Sequence, residues 1–255
     1  MSLYSQTIGR GNDLVFIHGW GMHSGIWEDI AQEFAKHWRV TLIDLPGHGR
    51  STYDPEKSGL RAISDQVVEN TPRGATLLGW SLGGMVAMRC AIDHPQHVSK
   101  LVLIASTPQF VKSDDWAGGL DTETLDGFAR DLKNDYRTTL VRFLSLQARG
   151  SDKAREDIRR LRERVFQYGD PNVNALRNGL NILCHTDLRP ELTAISCPTL
   201  IIMGQRDALI PVSTGAAMRD TIKHADLHII NGAGHAPFLS HSLEFNKLLV
   251  DFLHD

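Results

Sequence analysis

Six short apolar runs, rich in valine, isoleucine and leucine, recur along this chain and alternate with stretches of helical spacing. They are DLVFIHG (13–19), RVTLIDLPG (39–47), ATLLGW (75–80), KLVLIAS (100–106), CPTLIIMG (197–204) and ADLHIING (225–232). Short buried strands that alternate with helices are typical of a parallel sheet covered by helices on both faces. The sequence therefore predicts an α/β fold with a mostly parallel central sheet flanked by helices.

A long gap separates the fourth of these runs from the fifth. Residues 108–190 contain no comparable strand pattern, whereas apolar residues recur there at three- and four-residue spacings, as in LDGFARDLKNDYRTTLVRFLSLQARG. This pattern predicts a helical cap inserted into the fold. We place the core at 1–107 and 191–255 and the cap at 108–190, with Pro108 and Pro190 near its boundaries.

The composition excludes several classes of protein. A chain of 255 residues fits one large domain, or one domain with an insertion.

No apolar run approaches the ~20 residues of a membrane helix, and the first residues lack a signal-peptide pattern, so we expect a soluble, cytoplasmic protein. The net charge of −3 argues against general nucleic-acid binding. The three cysteines are too scattered for a disulfide framework or a zinc site. We expect Cys90, Cys184 and Cys197 to pack as small buried hydrophobic residues.

The segment LLGWSLGGMV (77–86) contains a G-x-S-x-G motif made by Gly79, Ser81 and Gly83. It follows a predicted strand and precedes a predicted helix. Glycines on either side of the serine remove the Cβ clashes of a sharp strand-to-helix turn, so the hydroxyl stands at the tip of that turn. This setting predicts that Ser81 is a nucleophile.

A serine nucleophile needs a general base, and the sequence offers two histidines near its end. His235 lies in the small-residue loop NGAGHAPFLSHS, directly after the last predicted strand. His241 falls inside the predicted closing helix. We therefore predict that His235 is the base.

The base in turn needs a carboxylate that orients it. Asp207 follows the strand TLIIMG by three residues. One helix (about 212–222) and one strand (about 226–231) fit between Asp207 and His235. This connection returns His235 to the carboxyl edge of the sheet, where Asp207 and Ser81 are also expected. We therefore predict that Asp207 is the acid.

The oxyanion formed by attack of Ser81 on a carbonyl needs two hydrogen-bond donors. We predict that one is the backbone N–H of Leu82, at the start of the helix. The other is the backbone N–H of Trp20, in the HGWGM loop after the first predicted strand. The Trp20 ring either walls the acyl site or packs the core. We expect His18 to be a structural hydrogen-bonding group of this loop.

The order Ser, Asp, His, with HGWG before it and LIDLPGHGRS within the pattern, resembles the α/β-hydrolase superfamily. Haloalkane dehalogenases carry an aspartate where Ser81 stands and are excluded. The segments HGWGMHSGIW, DLPGHGRS, LGWSLGGMVA, RFLSLQ and GHAPFLSH resemble, over nearly the full length, the pimeloyl-[acyl-carrier protein] methyl ester esterases of biotin synthesis. The resemblance implies an α/β-hydrolase fold, a Ser-His-Asp acyl-enzyme mechanism, and neither a metal ion nor an organic cofactor.

The resemblance also implies binding residues. The substrate would contact Trp20, Ser81, Leu82, Phe143, Leu144, Ser145, Leu146, Gln147 and His235. The carrier protein would contact Arg142, Arg155 and Arg159, whereas Arg137 is left unassigned. The expected partners are the acyl-carrier protein and small-molecule esters, with no nucleic acid and no membrane, and we expect a monomer.

The distribution of charge supports binding of an acidic carrier independently of the resemblance. Residues 130–164 hold nine arginines and two lysines against six acidic residues, a net +5, so the rest of the chain carries −8. Arg155, Arg159 and Arg162 fall on one helical face, and an acidic carrier would be steered to it. A solvated helix with internal pairs such as Glu156 with Arg160 remains an alternative.

Several other functions share the same motifs. A broad carboxylesterase, a carbon-carbon bond hydrolase of aromatic degradation and a menaquinone-pathway lyase would each use the same triad. A non-catalytic receptor would use the hydrolase pocket for binding alone. A panel of free esters discriminates the enzymes, and labelling of Ser81 by a fluorophosphonate argues against the receptor.

Overall fold

A seven-stranded sheet forms the centre of the protein in the computed structural model, which describes residues 3–254. Its strands are β1 (Ser5–Gly9), β2 (Asp13–Ile17), β3 (Arg39–Ile43), β4 (Ala75–Trp80), β5 (Val98–Ile104), β6 (Thr199–Gly204) and β7 (Ala225–Ile230). The spatial order is β1-β3-β2-β4-β5-β6-β7, with β1 antiparallel to β3 and every other pair parallel. The predicted α/β class and mostly parallel sheet are therefore confirmed.

The six apolar runs correspond to β2 through β7. In β4 and β6 every residue is buried, because helices cover both faces of the sheet centre. The sequence did not predict β1, whose segment SQTIG is mostly polar and mostly exposed. An edge strand of this kind is held by its ladder with β3 and carries little apolar signal.

Ten α-helices occur within residues 3–254. Those outside the predicted cap are α1 (Glu28–Phe34), α2 (Leu60–Glu69), α3 (Leu82–Asp93), α8 (Val212–Thr221), α9 (Pro237–Ser240) and α10 (Ser242–His254). Helix α3 packs on β4 and β5, α8 packs on β6 and β7, and α1 contacts β1 and β3. No helix in this described part is long and apolar enough to cross a membrane.

The remaining helices lie between β5 and β6, in the segment for which we predicted a cap. They are α4 (Thr122–Asn134), α5 (Tyr136–Gln147), α6 (Ala154–Val165) and α7 (Val173–His185). Side chains fix where two of them begin: Asp135 accepts a hydrogen bond from the Thr138 N–H, and Asn172 accepts from the N–H groups of Asn174 and Ala175.

The two ends of this inserted segment meet. The Leu188 N–H donates a 3.0 Å hydrogen bond to the Pro108 carbonyl, and Pro190 lies inside a 3₁₀-helix at Arg189–Ala194. The four helices therefore leave and rejoin the core at neighbouring points.

Two sets of contacts attach the inserted helices to the core. At the end of α6, His23 Nε2–H donates to the Arg164 carbonyl over 2.7 Å, and Arg164 also pairs with Glu28. At α7, the Trp20 indole N–H donates to the Leu176 carbonyl over 2.9 Å. The loop after β2 is therefore bonded directly to the inserted helices.

Candidate active site

Ser81 lies at the turn between β4 and α3 with φ 55° and ψ −119°. Only Ser81 and Ala105 combine a side chain with positive φ within residues 3–254. Such a conformation costs about 1–3 kcal/mol and persists only where the surroundings enforce it. The Ser81 N–H donates to the Ile104 carbonyl over 2.9 Å, and the Ser106 hydroxyl donates to the Ser81 carbonyl over 2.8 Å. Neighbouring strand ends therefore hold the turn.

The two motif glycines occur where the backbone passes closest to its neighbours. A Cβ on Gly79 would overlap the carbonyl of Gly83, and a Cβ on Gly83 would lie 2.5 Å from the carbonyl oxygens of Ile17 and His18. Both positions therefore require glycine: Gly79 because the turn itself closes on it, as the motif suggested, and Gly83 because the end of β2 passes against it.

Asp207 and His235 form a buried pair. Their Oδ2 and Nδ1 atoms are 2.7 Å apart, and both side chains are fully buried. The second carboxylate oxygen, Oδ1, accepts from the N–H groups of Leu209 and Ile210 at 2.8 and 3.1 Å. Hydrogen bonds to both oxygens fix the orientation of the carboxylate. That carboxylate accepts from Nδ1–H and leaves Nε2 of His235 without its proton in the neutral ring.

The His235 backbone is held on both sides. The Trp80 indole N–H donates to the His235 carbonyl over 2.8 Å, and the His235 N–H donates to the Gln147 carbonyl over 3.1 Å. The Trp80 and His235 rings lie 5.8 Å apart, which brings His235 beside the residue that precedes Ser81. Nε2 of His235 is buried and has no hydrogen-bond partner in the described part of the chain.

The loop after β2 lies against the Ser81 turn. A Cβ on Gly19 would come within 3.2 Å of the Ser81 Cβ, so the backbone that leads to Trp20 passes directly beside the serine. Leu82 is the first residue of α3, where backbone N–H groups lack intrahelical acceptors. The backbones of Trp20 and Leu82 thus flank the serine.

His18 braces this loop. Its Nδ1–H donates to the Gly19 carbonyl over 2.8 Å, while Nε2 accepts from the Leu45 N–H over 2.9 Å. Burial, together with the nearby His48, lowers the pKa of His18 to about 3. Both ring nitrogens are therefore used by backbone groups, and the neutral ring fits the structural role expected for it.

An aromatic cluster joins the loop to the inserted helices. The ring centroids of Trp20 and Phe143 are 4.6 Å apart, and those of Phe143 and Phe128 are 5.3 Å apart. A Cβ on Gly179 would lie 2.6 Å from the Trp20 ring, so α7 approaches that ring through a glycine. The Trp20 ring is fully buried and packs against both α5 and α7.

The predicted substrate segment of α5 divides between two sides of the helix. Phe143, Leu144 and Gln147 are buried, whereas Ser145 and Leu146 are half-buried and line a groove on the outside. The Gln147 side chain is 1% exposed, and neither of its amide atoms has a hydrogen-bond partner within residues 3–254. A buried amide without partners is costly unless a ligand or water satisfies it.

The predicted carrier-contact arginines are all exposed but differ in their pairing. Arg142 pairs with Asp131, and Arg159 pairs with Glu163 over 2.7 Å. Arg155 has no carboxylate partner in the part of the chain that the structure describes. The alternative pair, Glu156 with Arg160, is present at 2.8 Å.

The remaining sequence expectations concern His241, the cysteines and metal-binding groups. The expectation that His241 falls inside the closing helix is wrong, because His241 lies in the turn between α9, which starts at Pro237, and α10. Cys90 is buried, Cys184 and Cys197 are half-buried, and burial raises the pKa of all three thiols. Across residues 3–254, no three His, Cys, Asp or Glu side chains are grouped to hold a metal ion.

Sequence reasoning missed the backbone supports of His235. Trp80 was visible inside the G-W-S-L-G motif, but nothing in the motif indicates that its indole reaches a carbonyl 155 residues later in the chain. The Gln147 carbonyl likewise depends on how the inserted helices pack. An alternation of strand and helix patterns cannot specify such contacts.

Comparison with known proteins identifies the family. A model of the alpha/beta hydrolase fold matches residues 13–242. A protein of Yersinia enterocolitica named pimeloyl-[acyl-carrier protein] methyl ester esterase is 41% identical over 251 residues, 98% of this chain and 96% of that protein. The protein of the same name from Vibrio cholerae is 38% identical over 252 residues, covering 99% and 98%.

Among solved structures, an esterase from Exiguobacterium antarcticum superposes with a TM-score of 0.89 at 24% identity, covering 99% of this chain and 96% of that one. This likeness concerns the fold. With the family model and the curated relatives it leads to one conclusion: the chain belongs to the α/β-hydrolase family, alongside proteins named as methyl ester esterases.

Proposed function

We propose that this protein is a serine esterase that hydrolyses the methyl ester of pimeloyl-[acyl-carrier protein], releasing methanol. The observation that carries the proposal is the buried Asp207–His235 pair beside the strained Ser81 turn. The relatives at 38% and 41% identity support the choice of ester.

Acyl transfer begins at Ser81. Nε2 of His235 takes the hydroxyl proton as Oγ attacks the ester carbonyl, and the backbone N–H groups of Trp20 and Leu82 stabilise the resulting oxyanion. When the tetrahedral intermediate collapses, the carbon–oxygen bond to the methoxy group breaks, and His235 returns the proton to that oxygen. Methanol leaves, and the acyl group remains as an ester on Ser81.

Hydrolysis of the acyl-enzyme uses the same histidine. His235 takes a proton from water, whose oxygen attacks the acyl carbonyl, and then returns that proton to Oγ of Ser81. Asp207 holds the ring in the Nδ1–H tautomer and stabilises the imidazolium in both steps. The N–H groups of Leu209 and Ile210 bond to the other carboxylate oxygen and hold Asp207 in place.

The inserted helices supply the selectivity. A carrier-bound pimeloyl methyl ester has two reactive carbonyls, the distal methyl ester and the thioester to the carrier. Ser81 and His235 are only 2% and 0% exposed, and α5 contacts the His235 backbone through the Gln147 carbonyl, so the inserted helices limit which chains reach the site. The Trp20 and Phe143 rings, which pack against each other beside the Ser81 turn, would contact an extended methylene chain whose distal end lies at Ser81.

Two features support a carrier-linked substrate. The net +5 of residues 130–164 attracts an acidic carrier. The unpaired Gln147 amide is available to a carbonyl of the bound chain, since it has no hydrogen-bond partner within residues 3–254. Arg142, Arg155 and Arg159 are proposed to contact the carrier itself.

A comparison of substrates tests this function. The carrier-linked methyl ester is expected to give a kcat/KM at least about 100-fold above that of a free short-chain methyl ester, because carrier contacts add binding free energy remote from the reacting bond. Equal values for the two esters would contradict carrier specificity and indicate a general esterase.

A further inference from the structure

The turn between α5 and α6, residues 148–153, lies against the loop that carries His235. At the end of α5 the Gln147 carbonyl accepts from the His235 N–H over 3.1 Å. Within the turn, the Asp152 N–H donates to the Gly232 carbonyl over 3.0 Å. Two backbone hydrogen bonds therefore join this part of the inserted segment to the His235 loop.

The same turn also lies against the loop that carries Asp207. A Cβ on Gly150 would lie 2.5 Å from the Arg206 carbonyl oxygen, so the two backbones are in contact. The Arg206 guanidinium pairs with Asp152, and the Arg206 N–H donates to the Ala233 carbonyl over 2.8 Å. The α5–α6 turn therefore bridges the loops that carry the acid and the base.

Ser151 and Asp157 form a pair that closes this turn from inside. They are 8% and 3% exposed, and the Ser151 hydroxyl donates to Asp157 Oδ2 over 2.6 Å. Ser151 Oγ also accepts from the Lys153 N–H over 3.1 Å. The same side chain faces the His235 loop, since a Cβ on Gly234 would lie 3.2 Å from the Ser151 Cβ. The pair thus ties the start of α6 to the turn where the turn meets that loop.

The buried carboxyl group of Asp157 is costly for stability. Its second oxygen, Oδ1, is buried and has no hydrogen-bond partner within residues 3–254. Burial raises the pKa of Asp157, although the Ser151 hydroxyl acts in the opposite direction. An apolar side chain of similar volume would avoid the desolvation of this group. Stability alone therefore does not account for the pair.

We propose that Ser151 and Asp157 are positioning residues for His235. They fix the α5–α6 turn, and the turn fixes the Gln147 carbonyl that holds the His235 backbone. Their effect on the reaction is indirect, through the place of the His235 ring relative to Ser81. This inference rests on the proposed role of His235 as general base, and it does not depend on which ester is the substrate. A shift of about 1 Å in a catalytic group can cost about 100-fold in rate.

Removal of the hydroxyl tests the proposal. Ser151→Ala is expected to lower kcat for a free methyl ester by roughly 10–100-fold. We expect kcat/KM to fall by the same factor, because a general base acts in the transition state and not in substrate binding. The rate at which a fluorophosphonate labels Ser81 is expected to fall in parallel.

A milder variant keeps the test available if Ser151→Ala does not fold. Ser151→Cys has a similar volume and a weaker donor, so its kcat is expected to lie between those of wild type and Ser151→Ala. A wild-type kcat in either folded variant would overturn the inference.

A double-mutant cycle tests whether the two residues act through one contact. Asp157→Leu is expected to lose as much kcat as Ser151→Ala, and Ser151→Ala/Asp157→Leu is expected to lose no more than either single variant. Asp157→Asn keeps an oxygen that accepts from the Ser151 hydroxyl, so its kcat is expected to stay within about 3-fold of wild type. Additive losses, or equal losses in Asp157→Asn and Asp157→Leu, would contradict a positioning role for this hydrogen bond.

A matched control removes another buried hydroxyl from the inserted helices. Thr139 is 2% exposed, and its hydroxyl donates to the Asp135 carbonyl over 2.7 Å, near the start of α5 and away from Gln147. Thr139→Ala is expected to lower the urea midpoint of unfolding, as Ser151→Ala does, but to leave kcat unchanged. If both variants lower kcat equally, the loss reflects weakened packing of the inserted helices and the inference is wrong.

The two proposals fail differently. If His235→Ala keeps the wild-type kcat, the proposed mechanism is wrong, and the positioning role falls with it. If His235→Ala is inactive while Ser151→Ala keeps the wild-type kcat, only the positioning role is wrong.

Discussion

The backbone of Ser81 is strained, and the residues around it hold it in that conformation. Its φ of 55° is enforced by hydrogen bonds from both sides, at the Ser81 N–H and the Ser81 carbonyl. Glycines at 79 and 83 allow the backbone to approach closely. At this scale the chemistry depends on backbone geometry as much as on side chains.

The variant Asp207→Asn tests whether Asp207 holds the His235 ring in the Nδ1–H tautomer. An amide that donates to Nδ1 would hold the proton on Nε2, so His235 could no longer accept the serine proton. We expect kcat for a free methyl ester to fall by about 10³–10⁴-fold. Steady-state kinetics measure this, with circular dichroism as the folding control. A loss below about 10-fold would contradict the assigned role of Asp207.

Gln147→Met tests whether the buried amide serves a ligand. Because neither amide atom is bonded within residues 3–254, an apolar side chain of similar volume is expected to leave the free energy of unfolding unchanged or raise it by about 1 kcal/mol. KM for the carrier-linked ester is expected to rise. Urea unfolding and kinetics measure both quantities. Loss of stability with unchanged KM would show that the amide is structural.

The site residues differ in how well the sequence predicts them. Ser81 is recognised by its motif, and Asp207 and His235 by their positions after strand patterns. The structure brings Asp207 and His235 within 2.7 Å. The support from Trp80 and from the Gln147 carbonyl was not predictable, because both contacts join segments far apart in the chain.

At the scale of elements, α7 couples the inserted helices to the loop beside Ser81. The coupling rests on the Trp20–Leu176 hydrogen bond and on the close approach of Gly179 to the Trp20 ring. Apolar periodicity predicted that helices would fill this region. It could not predict which helix face meets Trp20. It also missed β1, because this polar edge strand is held by its pairing with β3 and carries little apolar signal.

Two glycine-to-alanine variants test this coupling. Gly127 and Gly179 both lie inside helices, where alanine is intrinsically favoured by about 1 kcal/mol. Gly127→Ala is expected to raise the free energy of unfolding by about 0.4–1 kcal/mol, since its Cβ meets open space. Gly179→Ala is expected to lower it by about 1–3 kcal/mol and to lower kcat, since its Cβ would displace Trp20. Equal effects in urea unfolding would contradict the coupling.

At the scale of the whole molecule, the charge is unevenly divided between the inserted helices and the core. A net +5 over residues 130–164 contrasts with a total of −3 for the chain. Such separation affects association with a charged partner more than it affects the fold. Counting charged residues along the sequence is enough to predict this separation. The pairing of Arg159 with Glu163 depends instead on side-chain geometry, which a count of charges does not contain.

Arg155→Glu/Arg159→Glu tests carrier association. Reversing two exposed charges is expected to lower kcat/KM for the carrier-linked ester by at least about 10-fold, with a weaker salt dependence, because steering is lost. Stopped-flow or steady-state kinetics over a salt series measure it, with a free methyl ester as the reference substrate. Equal losses with both substrates would exclude a docking role.

Buried neutral histidines make the whole fold sensitive to acid. Burial lowers the pKa of His48 to about 4 and that of His18 to about 3, whereas both protonate near 6.5 in the unfolded chain. The free energy of unfolding is therefore unaffected above about pH 6.5 and falls by about 1.4 kcal/mol per unit for each histidine between pH 6.5 and 4. His48→Gln is expected to reduce this slope by the contribution of one proton, about 1.4 kcal/mol per pH unit. The control His224→Gln, at an exposed position, is expected to leave the slope unchanged. An unaltered slope in His48→Gln would contradict this assignment.

The most direct test of the proposed function is methanol release from the carrier-linked pimeloyl methyl ester by wild-type protein and by Ser81→Ala. We expect rapid release by wild-type protein, a loss of at least about 10³-fold in Ser81→Ala, and a strong preference over a free methyl ester. Release that survives in Ser81→Ala would contradict the nucleophile, and hydrolysis of the free ester alone would contradict the carrier-linked substrate.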